Sequence, residues 1–498
     1  MEGCAVSVYL LSAMPICDVV IRNALLIDGT GGESRLADVG IMGDKIHAVG
    51  EPASVEASVI VDGENQALSP GFIDVHTHDD LEIIRNPGML PKLSQGVTTV
   101  IAGNCGISAA PVRLTGNLPD PMNLLGDASE FQYPGFASYV AAIAAAEPAL
   151  NIAALVGHTA LRSNHLDRLD RAASELEIAA MRGQLEEALS QGAIGLSSGL
   201  AYLSAYSAST EEVAALAELL APAGAVYTTH MRTEGDAIVE AMNEALAVGR
   251  LCQVPVILSH LKCYGIDNWG RSGEVLSLLD SARAGQPVGC DCYPYAASSS
   301  TLDLRQVDAR VTITITWSTP HPEAGGQSLA MIARQWNVDQ PEAARRLQPA
   351  GAIYHSMSEQ DMQRILRHPA TMIGSDGLPR DPLPHPRLWG TFPRVLGRYA
   401  RDLGILSLTE AVHKMTGLPA ARFGLEGRGL IREGCYADLV LFDPRTIEDT
   451  ATFANPNSIA KGISAVWVNG TLTYADRVST GKRAGRFLPR SPHPLRVP

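Results

Sequence analysis

Residues able to bind a metal ion or move a proton stand at the ends of several short apolar runs. They are His76 and His78 in "FIDVHTH", Cys105 in "VTTVIAGNC", His230 in "VYTTHMR", His260 in "VPVILSHLK" and Asp376 in "TMIGSDG". The two histidines of the first run are two residues apart, so they lie on one face of a strand. Imidazole nitrogens and a carboxylate together suit zinc. We therefore predict a zinc site from the four histidines and Asp376.

Cys105 by itself admits four interpretations: a small buried filler, half of a disulfide, a nucleophile or a metal ligand. The eight cysteines include no Cys-x-x-Cys pair, and the opening segment lacks the basic stretch of a secretion signal. We expect a reduced, cytoplasmic protein, and Met14 is an alternative start to Met1. On local sequence alone a buried free cysteine between two glycines is the favoured interpretation. A nucleophilic role is disfavoured if zinc is present, because a thiolate held by zinc is a poor nucleophile.

The composition indicates a globular protein that acts on a small molecule. Lys and Arg number 39 against 53 Asp and Glu, which gives a net charge of −14. This acidity argues against a nucleic-acid partner. No uncharged apolar stretch reaches the ~18 residues of a membrane span, so no membrane partner is expected. The oligomeric state stays open.

The elements that must position these residues alternate between buried strands and amphipathic helices. The eight strand-like runs begin at residues 72, 97, 152, 193, 226, 254, 288 and 371. This α/β alternation predicts a (β/α)₈ TIM-like barrel over 72–424. Barrel enzymes build their sites where the carboxyl ends of the strands converge, and the six candidate ligands lie at those ends.

Both ends of the chain differ from the middle. Residues 15–71 and 425–485 contain short alternating strands broken by Gly and Asp turns. Neither part has enough strands to be stable alone, so we predict that they pair into one small β-sandwich domain. Residues 296–370, between the last two barrel strands, are far longer than an ordinary connection and predict an inserted lid.

Longer motifs carry a resemblance to a known family. They are "PGFIDVHTH", "GNCGIS", "GHTALR", "GAIGLSSGLAY", "THMRTE", "SHLKCYG", "DCYPY" and "IGSDGLP" followed by "HPRLWGTFPRVLGRY". Over roughly 15–480 the chain resembles the N-acyl-D-amino-acid deacylases (D-aminoacylases) of the amidohydrolase superfamily. The resemblance implies a zinc-bearing barrel, a β-sandwich and a lid. It also implies hydrolysis of N-acyl-D-amino acids to a carboxylate and a free D-amino acid.

The resemblance also implies roles for the ligands. Cys105, His230 and His260 would hold one tight zinc ion. His76, His78 and Asp376 would surround a second, weaker position that Cys105 could bridge. Many relatives place a carboxylated lysine between two metals, whereas this chain offers Cys105. Asp376 would be the general base and then the general acid, taking a proton from the metal-activated water and returning it to the leaving amine.

Three residues are expected to hold the substrate carboxylate. Lys262 follows His260 by two positions and shares the inward face of that strand. Arg387 offers a planar fork that fits a carboxylate, and Tyr293 can donate a hydrogen bond. The resemblance implies that residues of these types grip the α-carboxylate.

Two further residues are included in the predicted substrate site. His158 either polarises the substrate carbonyl or packs in the barrel. Ser299 lies in the neutral start of the lid, "AASSSTLDLR", where Arg305 follows some way on. This neutral stretch favours apolar or neutral substrate side chains over those of D-Glu or D-Asp. The "CDC" of 290–292 is interpreted as small core filler.

Two other functions are considered. A cyclic amidase of the hydantoinase or dihydroorotase type shares the fold, but it would want a carboxylated lysine where this chain has Cys105. A non-catalytic scaffold would have lost ligands, and none of the six is missing here.

Overall fold

A computed structural model describes residues 16–51, 55–64, 66–114 and 116–491. The alternative start at Met14 lies outside these residues. Within them, no helix combines the length and apolar character needed to cross a membrane.

Five strands precede the barrel. They are β1 (Ile16–Leu26), β2 (Arg35–Met42), β3 (Lys45–Gly50), β4 (Glu56–Asp62) and β5 (Ala67–Pro70). β1, β2 and β3 form an antiparallel meander, while β4 and β5 each run parallel to β1. The N-terminal segment therefore supplies one part of a sheet.

The next strands form most of the barrel. They are β6 (Phe72–Asp74), β7 (Val97–Ala102), β8 (Asn151–Ala154), β9 (Val156–Gly157), β10 (Gly195–Gly199), β11 (Val226–His230), β12 (Val256–Leu258) and β13 (Val288–Cys292). β8 and β9 are two parts of one predicted run. Neighbours along the chain pair in parallel. Nearly all of their residues are buried, as expected for parallel strands covered on both faces.

The long connection after β13 is an ordered insertion. Its strands β14 (Ser298–Thr301), β15 (Ile313–Ser318) and β16 (Ala350–Tyr354) form an antiparallel sheet with β16 in the middle. β17 (Thr371–Ile373) then returns to the barrel and pairs in parallel with β13. A parallel bridge between Thr77 and Gly377 joins the last strand to the first. The eight strands thus close into the predicted (β/α)₈ arrangement.

Helices surround these strands. Those before the insertion are α1 (Glu82–Arg85), α2 (Leu90–Leu93), α3 (Phe136–Ala146), α4 (His158–His165), α5 (Glu175–Ser190), α6 (Leu203–Tyr206), α7 (Thr210–Ala217), α8 (Leu220–Ala223), α9 (Ile238–Cys252) and α10 (Ser272–Arg283). Those within the insertion are α11 (Leu329–Gln335), α12 (Gln340–Leu347) and α13 (Glu359–Arg367), and those after it are α14 (Arg387–Arg394), α15 (Leu408–Met415) and α16 (Gly417–Phe423). α14 continues as a π-helix to Asp402. α5 begins with a capping box between Ser174 and Glu177, which the "SELE" sequence encodes.

The C-terminal strands complete the terminal domain. They are β18 (Leu439–Phe442), β19 (Ile463–Val468), β20 (Thr471–Ala475) and β21 (Val478–Ser479). β18 pairs with β5, so both ends of the chain share one nine-stranded sheet. This sheet has its own apolar core, which includes Ile21, Val39, Leu439 and Trp467. The predicted union of the two termini is present, whereas the exact domain limits stay predictions.

Candidate metal centre

The six predicted metal ligands lie together at the carboxyl ends of the barrel strands. They form two groups that share Cys105: one is Cys105, His230 and His260, and the other is His76, His78, Cys105 and Asp376. Within each group, all candidate ligand atoms lie within 4.8 Å of one another. The shared thiol places the two groups side by side, as neighbouring metal positions would require.

The first group has the spacing of zinc ligands. Cys105 Sγ lies 3.3 Å from His260 Nε2, which lies 3.1 Å from His230 Nδ1. Bonds of about 2.0–2.3 Å to a tetrahedral zinc put its ligands roughly 3.3–3.8 Å apart. The first distance lies at the edge of this range, and the second is about 0.2 Å shorter. Two imidazoles and a thiolate with room for a fourth ligand are typical of a catalytic zinc site. These residues therefore fit the metal that the sequence predicts.

The second group is completed by a carboxylate. His76 Nε2 lies 3.1 Å from Cys105 Sγ and 3.6 Å from Asp376 Oδ1. His78 Nε2 lies 3.2 Å from the same carboxylate oxygen. All four side chains are buried. This group can hold a second ion next to the first.

Local backbone geometry explains the "GNCG" sequence around Cys105. Cys105 itself has φ 54°, in the left-handed region that ordinary residues rarely adopt. A Cβ atom on Gly103 would lie 2.2 Å from Leu155 O, and one on Gly106 would lie 2.6 Å from Gly199 N. Glycine is therefore required on both sides of the ligand. His260 (φ 35°) and Asp376 (φ 51°) share this strained conformation, which clusters at functional sites.

Two carboxylates that sequence reasoning missed hold the histidine ligands. Asp291 accepts a hydrogen bond from the His260 backbone N–H at 2.9 Å, and its carboxylate lies 3.3 Å from His76 Nδ1. Glu234 Oε1 lies 2.9 Å from His260 Nδ1. Such partners orient the imidazoles toward a metal. Alternation within "CDC" was the available signal for Asp291, because its side chain must face opposite to both cysteines.

The electrostatics of the cluster favour a thiolate at Cys105 and a carboxylate at Asp376. Burial opposes ionisation of Cys105, but His76 and His260 hold the pKa of its thiol well below the ordinary value. Burial also opposes the charge on Asp376, yet the neighbouring Arg387 and His78 hold the pKa of its carboxyl well below the usual range. Burial likewise opposes the charge on His78, but Asp376 raises its pKa to about 9.

A cavity of about 840 Å³ opens onto these ligands. Its walls include His78, His230, His260, Asp376, Glu234, Lys262, Tyr293 and the β14 residues Ser298–Thr301. This volume lies within the range of roughly 300–1,000 Å³ for small-molecule sites. Strand β14 belongs to the insertion, so the inserted segment forms part of the cavity wall.

The predicted substrate residues are placed as follows. Lys262, Tyr293 and Ser299 line the cavity. Lys262 Nζ donates to Glu234 Oε1 at 2.6 Å. Arg387 is fully buried, with Nη1 2.8 Å from Asp376 Oδ2 and Nη2 donating to Ser299 O at 3.0 Å. These residues lie next to the candidate metal ligands. The two cations are each paired with a carboxylate, Lys262 with Glu234 and Arg387 with Asp376.

His158 is fully buried, and its Nε2 lies 2.9 Å from Glu212 Oε1. Like Arg387, it is absent from the described residues that line the cavity. Unlike Arg387, it makes no hydrogen bond or ion pair with a candidate metal ligand among the described residues. A role for His158 in polarising the substrate carbonyl stays a prediction.

Comparison with known proteins supports the chemistry of this site. The model of the amidohydrolase family matches residues 59–261 and 268–474. A D-aminoacylase of Alcaligenes xylosoxydans xylosoxydans is 48% identical over 95% of this chain and 98% of its own length. An N-acyl-D-glutamate deacylase of the same organism is 47% identical over 95% of this chain and 96% of its own length.

A solved structure shows the same likeness in three dimensions. The N-acyl-D-glutamate deacylase of Bordetella bronchiseptica, complexed with zinc and a phosphonate mimic of the tetrahedral intermediate, matches with a TM-score of 0.92. It is 44% identical, and the match covers 95% of this chain and all of that one. The fold described above thus occurs in a protein whose structure was solved with zinc.

Proposed function

This chain belongs to the amidohydrolase family, and we propose that it hydrolyses N-acyl-D-amino acids to a carboxylate and a free D-amino acid, with zinc as its cofactor. The observation that carries this proposal is the placement of two buried cations, Lys262 and Arg387, beside a cluster of metal ligands. A linear N-acyl amino acid carries a carboxylate one carbon away from its amide. The cluster of metal ligands suits the amide, and the two cations suit the carboxylate.

Cys105, His230 and His260 would hold the tight zinc ion, and His76, His78 and Asp376 would complete a weaker position with Cys105. When bound, zinc supplies Lewis acidity that polarises a carbonyl and lowers the pKa of water to ~7. Glu234 and Asp291 keep the imidazoles of His260 and His76 oriented for this binding.

Asp376 acts as general base and then as general acid. Because its pKa is held low, its carboxylate is ionised at neutral pH and can accept a proton from the attacking water. It returns that proton to the amide nitrogen as the carbon–nitrogen bond breaks. Its Oδ1 faces His78 while Oδ2 faces Arg387, so the side chain is held from both sides.

The substrate carboxylate is held by local contacts, since the overall charge of −14 repels anions. Arg387 can offer a planar fork, Lys262 an ammonium and Tyr293 a phenolic hydroxyl. Ser299 Oγ is buried and has no hydrogen-bond partner among the described residues, so it is available to a substrate. Together these groups select a substrate that carries a carboxylate.

Neutral or apolar side chains are the preferred substrates in this proposal. Arg305 does line the cavity, but its guanidinium is paired with Asp303 at 2.6 Å and donates to Ala201 O at 2.9 Å. Its charge is therefore balanced before any substrate arrives. A cytoplasmic location is also retained, in keeping with the seven free thiols of the described cysteines.

A panel of substrates tests the proposal. It contains N-acetyl-D-leucine, its L enantiomer, N-acetyl-D-glutamate, N-acetyl-D-aspartate and hydantoin, with chiral detection of the product. We expect N-acetyl-D-leucine to be hydrolysed fastest and the L enantiomer hardly at all. Hydrolysis of hydantoin without hydrolysis of any N-acetyl-D-amino acid would assign the site to a cyclic amidase. Faster turnover of the two acidic substrates would refute the side-chain preference alone.

A further inference from the structure

Lys92 is a fully buried charge that the proposed chemistry does not use. It lies on α2, and its Nζ is 2.7 Å from Asp74 Oδ2, 2.8 Å from Ser375 Oγ and 3.3 Å from Asp79 Oδ2. The contacts with Asp74 and Ser375 are hydrogen bonds, whereas the contact with Asp79 is an ion pair. Burial would lower the pKa of Lys92, but Asp74 and Asp79 raise it, so the side chain stays charged.

The partners of Lys92 hold the turn that carries Asp376. Asp74 Oδ1 accepts the Ser375 N–H at 2.7 Å, and Ser375 Oγ accepts the Gly377 N–H at 3.2 Å. The Asp376 N–H itself donates to His76 O at 2.8 Å. All three consecutive amides of this turn are therefore bonded, two of them to groups that Lys92 holds. Asp376 needs such support, because its left-handed backbone is strained.

These contacts also join the first strand of the barrel to the last. Asp74 ends β6, two residues before His76, and Ser375 follows β17 directly before Asp376. Within the described residues, the hydrogen bonds and ion pairs of Lys92 reach only Asp74, Asp79 and Ser375, and none reaches Cys105, His230 or His260. The network therefore acts on the side of the site that carries Asp376.

We infer that Lys92 and Ser375 are positioning residues for hydrolysis, which hold the 375–377 turn so that the Asp376 carboxylate faces the reacting atoms. This inference rests on the proposed function of Asp376. It assigns no contact with substrate to Lys92 or Ser375. Its consequence is selective: a break in the network should impair turnover while the tight zinc ligands keep their geometry.

Ser375→Ala is the first test, because it removes both hydroxyl contacts without leaving a buried charge unpaired. We expect kcat to fall by ~10-fold or more, as small misplacements of a catalytic group do, with one tight zinc per chain retained. KM should stay within about 3-fold, because substrate binding is not altered. Ser375→Thr keeps the hydroxyl and should restore most of kcat.

Ser94→Ala is the matched control. Ser94 is also fully buried and lies at the end of α2, but its Oγ has no hydrogen-bond partner among the described residues. We expect its kcat to stay close to that of the unchanged protein. Equal kcat values for Ser375→Ala and Ser94→Ala would overturn the inference, and so would loss of the tight zinc in Ser375→Ala.

A measurement without substrate separates this inference from the proposed function. Amide hydrogen exchange of the zinc-loaded protein should speed up at Asp376 and Gly377 in Ser375→Ala and in Lys92→Met, but not in Ser94→Ala. Unchanged exchange in both variants would overturn the positioning role. If the unchanged protein hydrolyses no N-acyl-D-amino acid while exchange still responds, the proposed function fails and the network stands.

Discussion

Arg387 contacts the proposed general base directly, so the loss of activity on its truncation has two separate causes. Its Nη1 lies 2.8 Å from Asp376 Oδ2, and the same side chain is the strongest candidate to hold the substrate carboxylate. Truncation would therefore remove one substrate contact and one contact to the base. The two effects can be separated only by a substrate that lacks the carboxylate.

Arg387→Ala should depress kcat/KM for N-acetyl-D-leucine by roughly 30-fold or more, because truncating one partner of a buried charge pair costs ~2–5 kcal/mol. N-acetyl-isopentylamine, the same molecule without its carboxylate, is the control substrate. The decrease in kcat/KM for this control substrate reports only the contact between Arg387 and Asp376. It should be several-fold smaller than the decrease for N-acetyl-D-leucine. Equal losses on the two compounds would remove Arg387 from carboxylate recognition, and the contact would then have to come from Lys262 or Tyr293.

The clustering of the candidate ligand residues was predictable from the sequence, whereas most of the side chains that hold them were not. The ligands stand at the ends of apolar runs, and a barrel brings those ends together. Glu234 and Lys92 carry no such local mark, and Asp291 is marked only by the alternation within "CDC". Lys92 lies in "MLPKLSQG", where a lysine is expected on the surface, and only the folded chain shows Asp74 and Ser375 beside it.

Helices α4 and α7 are joined by a buried charge cluster that the sequence did not indicate. Glu212 on α7 accepts from Arg162 on α4, lies 2.9 Å from His158 Nε2, and accepts the Ala173 N–H at 3.1 Å. Burial would raise the pKa of Glu212, but His158 and Arg162 hold it at about 2. The cluster therefore ties two barrel helices and the start of α5 together.

Glu212→Gln should lower the free energy of unfolding at pH 7 by ~3–5 kcal/mol, since it leaves Arg162 buried without its counter-charge. The pKa of Glu212 is depressed from about 4.3 in the unfolded chain to about 2 in the folded one. Its stabilisation is therefore complete above pH ~4.3 and is lost as the pH falls toward 2. Denaturant unfolding from pH 7 down to pH ~2 should show a constant difference above pH ~4.3 and a narrowing difference below it.

Glu218→Gln is the control for this pH dependence. Glu218 lies at the end of α7 and pairs with Arg182 at 2.9 Å, but its side chain is 61% exposed. An exposed pair contributes ~0–1 kcal/mol, so this variant should differ little from the unchanged protein at any pH. A Glu212→Gln protein as stable as Glu218→Gln would show that the cluster does not stabilise the helices.

At the level of elements, buried parallel strands were easier to predict than strand pairing. Every predicted barrel run contains a strand, because short apolar runs bounded by Gly and polar residues have few alternatives. The insertion was predicted from its length alone, and its antiparallel order β14, β16, β15 depends on contacts across more than 30 residues. The parallel pairing of β4 and β5 with β1 has no local signal either.

The candidate ligands of the tight zinc ion lie far apart along the chain, at the ends of different strands of the barrel. Cys105 follows β7, His230 ends β11 and His260 follows β12, so a tight metal joins strands from different sides of the ring. The unfolded chain cannot present these three residues together, because 155 residues separate Cys105 from His260. Zinc should therefore bind the folded state almost exclusively and stabilise it by mass action.

Removal of zinc should lower the thermal stability of the whole molecule. Zinc at 1,000 times its Kd would contribute ~4 kcal/mol, so chelation should lower Tm by at least a few °C. Cys105→Ala should start at the lower Tm, contain no tight zinc by metal analysis and show no further response to the chelator.

Cys292→Ala is the matched control, since Cys292 is also buried, in β13, and is not among the described ligand groups. It should keep one zinc and respond to chelation as the unchanged protein does. Full zinc occupancy in Cys105→Ala would remove the thiol from the metal site and leave the glycines around it without a functional reason.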